Sequence, residues 1–202
     1  MSWEEIYKNR LGRWGTCAEP CVAQFIMRNF GGDEVDRTAV RVLDVGCSVG
    51  AQSKWIFENG FTVDGIDVSK TAIDTAMGIF GDPGAGSRAR FHVADVASIP
   101  FADNTFDAAV DVCCLQHVED VNVALDQIKR VLKPGGKILS MIATPDHYKL
   151  TDDLKSVPFR TMSFIEVMTA FGNRFENVVV DAWYHTDRGK SVSHWVVKAE
   201  KK

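Results

Sequence analysis

The nine residues Val42-Leu43-Asp44-Val45-Gly46-Cys47-Ser48-Val49-Gly50 constrain this chain more than any other stretch, because an apolar run ends in glycine-spaced backbone. Val42, Leu43 and Val45 read as a strand buried on both faces, the pattern of a parallel sheet. Gly46 and Gly50 let the following turn pass close to a ligand with no side chain in the way. Ala51-Gln52-Ser53-Lys54-Trp55-Ile56-Phe57 then supplies a helix. A strand, tight turn and helix in that order put a ligand at the carboxyl end of the strand.

Glycine spacing decides which ligand. A dinucleotide site asks for G-x-G-x-x-G, and from Gly46 the next required glycines fall on Ser48 and Ala51, so a dehydrogenase reading fails. The pattern acidic-x-G-x-G-x-G matches at Asp44, Gly46 and Gly50, with Ser48 as the small substitute at the middle position. This resembles the first motif of class I S-adenosylmethionine-dependent methyltransferases of the type 11/25 kind. In that family the loop lies along the methionine part of the cofactor, which has no pyrophosphate, so Ser48 is tolerable.

The resemblance runs from Val40 to Ile142 and more faintly beyond. Phe61-Thr62-Val63-Asp64-Gly65-Ile66-Asp67 reads as a second strand ending in an acid, where the Asp67 carboxylate can accept both ribose hydroxyls. Phe91-His92-Val93-Ala94-Asp95-Val96 looks like the third strand with its terminal acid. By resemblance Asp95 bonds the adenine amino group, and Ile99-Pro100-Phe101 follows as in the family. Phe106 to Val112 looks like the fourth strand. Val131 to Leu139 looks like a helix end, a Pro134-Gly135-Gly136 stop and the fifth strand. Taken singly, Asp67 or Asp95 would be a strand-end carboxylate capping a turn; the assignment rests on the constellation. The resemblance also places Cys47, Gln52, Val68, Val96, Val112, Cys113 and His117 on the cofactor pocket, with S-adenosylmethionine entering and S-adenosylhomocysteine leaving.

The implied architecture is α/β: a Rossmann-like, seven-stranded, mostly parallel sheet in the order 3-2-1-4-5-7-6, its last strand antiparallel, with helices on both faces. Helices are expected from Thr71 to Phe80 with Ser69 as N-cap, from Val121 to Leu132 with an apolar stripe at 121, 124, 125, 128, 131 and 132, and through Phe171 with Ser163 or Thr161 as cap. The last of these presents Phe164, Val167, Met168 and Phe171 on one face. Residues 81–86 read as an exposed loop. Val178 to Tyr184 and Val192 to Val197 read as a closing hairpin. The 202 residues fit one domain, with 1–38 a helical lid or extension and 39–202 the core. Cys21 to Phe30 reads as a helix in that extension, stopped by Gly31-Gly32. Arg13 can pair with the cofactor carboxylate and Trp14 can cover the site; the alternative is a solvated Arg13 and a core-packed Trp14.

At 46% hydrophobic and 25% charged residues, with no unbroken apolar run of membrane-spanning length, the composition is that of a globular chain. The start lacks a secretory pattern, so the cytoplasm is the expected location. Five cysteines form no C-x-x-C pair and no zinc spacing, which reads as buried free thiols with no metal. A net charge of −4 without a Lys/Arg cluster argues against nucleic acid. The Asp111-Val112-Cys113-Cys114 segment, unlike an Asn-Pro-Pro-Tyr tetrad, points the same way.

Methyl transfer from a sulfonium is displacement at an activated carbon, so positioning is the main task and a base matters only where the nucleophile holds its proton tightly. His117 falls at the expected site mouth. It can serve as that base or as a wall of the cofactor pocket. His147, Tyr148 and His185 are weaker candidates. The expected function is transfer to an O or N atom of a small molecule, a sugar or natural-product intermediate, by a monomer or homodimer. The alternative is a non-catalytic scaffold that binds the cofactor.

Overall fold

The computed structural model describes residues 2–10, 17–80, 87–146, 157–187 and 190–202. Seven strands form one sheet: β1 Arg41–Val45, β2 Thr62–Asp67, β3 Ala89–Val93, β4 Phe106–Val112, β5 Leu132–Ala143, β6 Phe175–Asp187 and β7 Lys190–Lys201. Their order is β3-β2-β1-β4-β5-β7-β6, as expected. The pairs β3-β2, β2-β1, β1-β4 and β4-β5 are parallel, while β7 runs antiparallel between β5 and β6.

Alternate residues of the strands feed two apolar layers, because successive side chains point to opposite faces. Val42, Val63, Val110 and Leu139 pack with α2 (Pro20–Phe30), α3 (Ala51–Glu58) and α4 (Lys70–Phe80). Leu43, Val45, Ile66 and Ile138 pack with α5 (Val121–Val131) and α6 (Phe164–Gly172). Every position of the predicted α5 stripe is buried: Val121, Ala124, Leu125, Ile128, Val131 and, just past the helix, Leu132. α1 (Trp3–Arg10) precedes these layers and buries Ile6 and Tyr7.

α2 buries Val22, Phe25 and Ile26 in the sheet layer. Two boundaries and one helix face differ from the sequence reading. The helix before Pro134 stops at Val131, and Pro134-Gly135-Gly136 lies inside β5 as an irregularity, since the β4-β5 register shifts between Phe106 and Ala108. Proline disfavours helix in the residue before it, so the chain is already extended at Leu132 and Lys133. β3 ends at Val93, two residues short of Asp95. Ser163 caps α6 in a reciprocal capping box with Glu166, yet Phe164 is 50% exposed, its ring edge-on to Trp195, while Ala170 takes a place in the buried stripe. Ser69 caps α4 as expected, its hydroxyl accepting from Ala72 N–H at 3.2 Å. The loop reading at 81–86 lies outside the described residues.

Candidate functional site

A cavity of about 740 Å³ runs along the carboxyl edge of the sheet in strand order. Asp95 follows β3, Asp67 ends β2, Gly46 and Ser48 follow β1, Cys113 and Cys114 follow β4, Met141 belongs to β5, and His194 to β7. Because β7 is antiparallel, its beginning lies beside the end of β5, and His194 pairs with Ala143.

The turn after β1 is held by backbone geometry that only certain residues fit. Gly46 has φ +65°, and a Cβ there would meet Cys114 Cβ at 2.4 Å. Gly50, at φ +89°, is the N-cap of α3, and a Cβ would press on Phe80 at 3.1 Å. Ser48 is itself left-handed at φ 55°, a conformation costly for a residue with a side chain. Its Oγ lines the cavity buried, with no hydrogen-bond partner of good geometry among the described residues. A ligand hydroxyl or amine there would satisfy it, which fits the polar cofactor implied by the sequence.

Asp67 is the hinge of the site. Its Oδ2 accepts from Ser48 N–H at 3.1 Å and its Oδ1 from Ser69 N–H at 2.9 Å. It is 8% exposed. Burial raises its pKa against the pull of those two donors, and Asp67 lines the cavity with further acceptor capacity at each oxygen. Asp95 is exposed, caps the short helical turn Val96–Ser98 by accepting from Ala97 N–H at 2.8 Å, and also lines the cavity. Both carboxylates therefore do the bland structural job and face the ligand space at once.

Beneath the loop two further acids are fully buried. Asp44 accepts from Ser53 Oγ at 2.6 Å, tying β1 to α3, and burial pushes its pKa up to about 7. Asp111 accepts from Ser140 Oγ, from Cys114 N–H at 2.8 Å and from Leu115 N–H at 3.2 Å; burial raises it to about 6. These acids shape the turns and do not line the cavity.

Of the predicted pocket residues, Gly46, Ser48, Asp67, Val68, Asp95, Val96, Val112, Cys113 and His117 line the cavity. Asp44, Cys47, Gly50 and Gln52 sit behind it: Cys47 is buried toward Gly65, and Gln52 Oε1 accepts from Glu19 N–H at 2.9 Å. Arg13, Trp14, His147 and Tyr148 lie outside the described residues, as does the side chain of His185. The thiols are free, but of the five only Cys47 is buried; Cys21, Cys113 and Cys114 are partly exposed and Cys17 is exposed.

His117 is fixed at both ring nitrogens. Nδ1 lies 2.7 Å from Pro158 O, which can only accept, so Nδ1 carries the proton. Nε2 then faces the Gln116 amide at 3.4 Å, whose own orientation is set because its Oε1 accepts from Ala143 N–H at 2.8 Å. The Trp3 ring meets the His117 ring edge-on at 4.8 Å between centroids.

The sequence reading missed Tyr7, Glu19, Gln116, Met141 and His194 as cavity residues. The predicted strand order held the signal for His194, since an antiparallel β7 beside β5 must start at the carboxyl edge. α1 reaches the site through Glu4, whose carboxylate accepts from Ser69 Oγ at 2.7 Å, Thr71 N–H at 3.1 Å and Thr71 Oγ1 at 2.8 Å. Those bonds, Ser69 first, hold Glu4 down to a pKa of about 2.

The sequence profile described as "Methyltransferase domain" matches residues 43–140, from β1 into β5. An O-methyltransferase of Aspergillus sclerotiorum, resE, is 36% identical over 98 residues, covering 48% of this chain and 37% of that protein. The chain thus spans little more than a third of the length of such relatives. Among solved structures, an S-adenosylmethionine-dependent methyltransferase from Methanosarcina mazei superposes with TM-score 0.72 at 22% identity, over 92% of this chain and 98% of its own. The Burkholderia thailandensis 1,6-didemethyltoxoflavin-N1-methyltransferase, solved with 1,6-didemethyltoxoflavin and S-adenosylhomocysteine, gives 0.74 at 20% identity, over 98% and 84%. These two likenesses speak to the fold.

Proposed function

We propose, from the premise that this chain belongs to the class I S-adenosylmethionine-dependent methyltransferase family, that it binds S-adenosylmethionine along the carboxyl edge of its sheet and directs the methyl group to an O or N atom of a small molecule. The observation that carries this is the strand-ordered row of Asp95, Asp67 and the Gly46–Ser48 turn along one cavity. Neighbouring parallel strands lie about 4.8 Å apart, so the row matches adenine, ribose and methionine parts laid end to end.

When bound, the cofactor supplies a methyl carbon already activated by a sulfonium leaving group. The chain supplies position. Asp67 takes the ribose hydroxyls while its backbone bonds hold the loop rigid, and Asp95 takes the adenine amino group. Trp3 and Tyr7 from α1 cover the space and exclude water, and His117, held by Pro158 and Gln116, serves as wall. The acceptor enters at the β5-β7 end, beside Met141, Val192 and His194. Relatives named as O-methyltransferases and the N1-methyltransferase neighbour support an O or N acceptor of natural-product type.

The test is transfer from methyl-labelled S-adenosylmethionine to a panel of hydroxylated and amine-bearing small molecules. Label in a panel member supports the reading. Tight cofactor binding with label retained on the cofactor across the panel favours the non-transferring binder instead.

A further inference from the structure

Glu19 stands just before α2 and lines the cavity. Its place is fixed from three sides. Its backbone N–H donates to Gln52 Oε1 at 2.9 Å, tying it to α3, the helix that opens directly after the glycine turn. Two residues on, Cys21 Sγ lies 3.6 Å from Met141 Sδ on β5. The Cys113 thiol, after β4, lines the same cavity and is pushed up by burial, then by the charge of Asp111 and next by that of Glu19. These ties put Glu19 on the β4-β5 side of the Gly46–Ser48 turn, away from Asp67 and Asp95 on the β2-β3 side. Glu19 occupies the N-cap position of α2 without a side-chain capping bond to that helix.

Resting on the cofactor orientation proposed above, we infer that Glu19 is the carboxylate that receives the α-ammonium of the cofactor's methionine part. With ribose on Asp67 at β2, the amino-acid tail extends past β1 toward β4, which is where Glu19 and Cys113 close the cavity. An ammonium there meets a carboxylate in a half-buried wall, where a charge-assisted hydrogen bond is stronger than in open water. The adjoining surfaces of Val112, Cys113 and Met141 are apolar or weakly polar and offer no comparable acceptor side chain. The assignment leaves His194 and Val192 to the acceptor rather than to the cofactor.

The experiment is calorimetry of the full chain and of Glu19→Gln with two probes: S-adenosylhomocysteine and its analogue lacking the α-amino group. The parent is expected to prefer S-adenosylhomocysteine by about tenfold, and Glu19→Gln to bind both alike, at the parent's affinity for the analogue. A parent with no preference overturns the inference without any variant, which also covers a variant that fails to fold. A folded variant that keeps the preference, or that loses affinity equally for both probes, overturns it as well. A parent that binds neither probe refutes the cofactor reading itself, which is a different failure.

Discussion

Asp67 and Ser48, 19 residues apart, are joined by a hydrogen bond from Ser48 N–H to Asp67 Oδ2 at 3.1 Å, so the residue proposed to take the ribose also sets the loop proposed to lie along the methionine part. Removing the carboxylate does two things at once. Asp67→Ala should weaken S-adenosylhomocysteine binding by at least about 1.5–3 kcal/mol, the value of hydrogen bonds to a charged group, and should also lower thermal stability because Ser48 and Ser69 lose their acceptor. Calorimetry and a melting curve on the same sample check this; unchanged affinity in a folded variant removes Asp67 from the ribose.

Glu4 fastens α1 to the start of α4, next to Asp67-Val68. Glu4→Ala should therefore speed hydrogen exchange in α1 selectively, and bound S-adenosylhomocysteine should slow it in the parent by holding Trp3 and Tyr7 against ligand. Exchange in α1 that ignores both the substitution and the ligand would show that this helix is a fixed part of the wall and no cover.

His117 has both ring nitrogens engaged by Pro158 and Gln116. His117→Asn should lower cofactor affinity a few-fold and leave the pH profile of turnover in place. A fall in turnover of roughly 10²–10⁴ with affinity preserved would restore the base role.

Burial pushes Asp44 and Asp111 up in the folded chain, to about 7 and about 6, against about 3.9 for an ordinary aspartate. The folded state then holds more protons between those limits, so stability falls as pH rises from about 4 to about 7. Asp64 has the opposite sign: burial is outweighed by bonds from His92, Arg41 and Arg90, and the stability it contributes is present above its unfolded value and lost in stronger acid. Urea unfolding of the ligand-free chain should show the decline between about pH 4 and 7, and Asp44→Asn should make it shallower, gaining on the order of 1–3 kcal/mol at pH 8. A variant that tracks the parent across this range contradicts the burial argument.

Much of this was legible in the sequence because it depends on local pattern. The β1 turn, its glycines, and the acids at and just after the ends of β2 and β3 follow from runs of apolar residues and their punctuation. What was not legible depends on pairs far apart in the chain. Glu4 reaches Thr71 across 67 residues, and Glu19 reaches Gln52 across 33, with nothing in either segment to announce it. His194 becomes a site residue only through the antiparallel register with Ala143. Pro134-Gly135-Gly136 looked like the helix stop, yet the restriction proline places on the residue before it ended the helix sooner. Asp44 and Gly50 match the motif but act from behind the wall, since a motif fixes the turn and not which of its side chains meet the ligand.

The most direct measurement is calorimetric titration of the purified chain with S-adenosylmethionine, S-adenosylhomocysteine and NAD under one buffer. The account predicts saturable one-site binding of the first two, weakened by Asp67→Asn, and no binding of NAD, whose pyrophosphate finds neither the glycines nor a cradle in the Gly46–Gly50 turn. Binding of NAD in preference to both, or no binding of either sulfur compound by the folded chain, would contradict it.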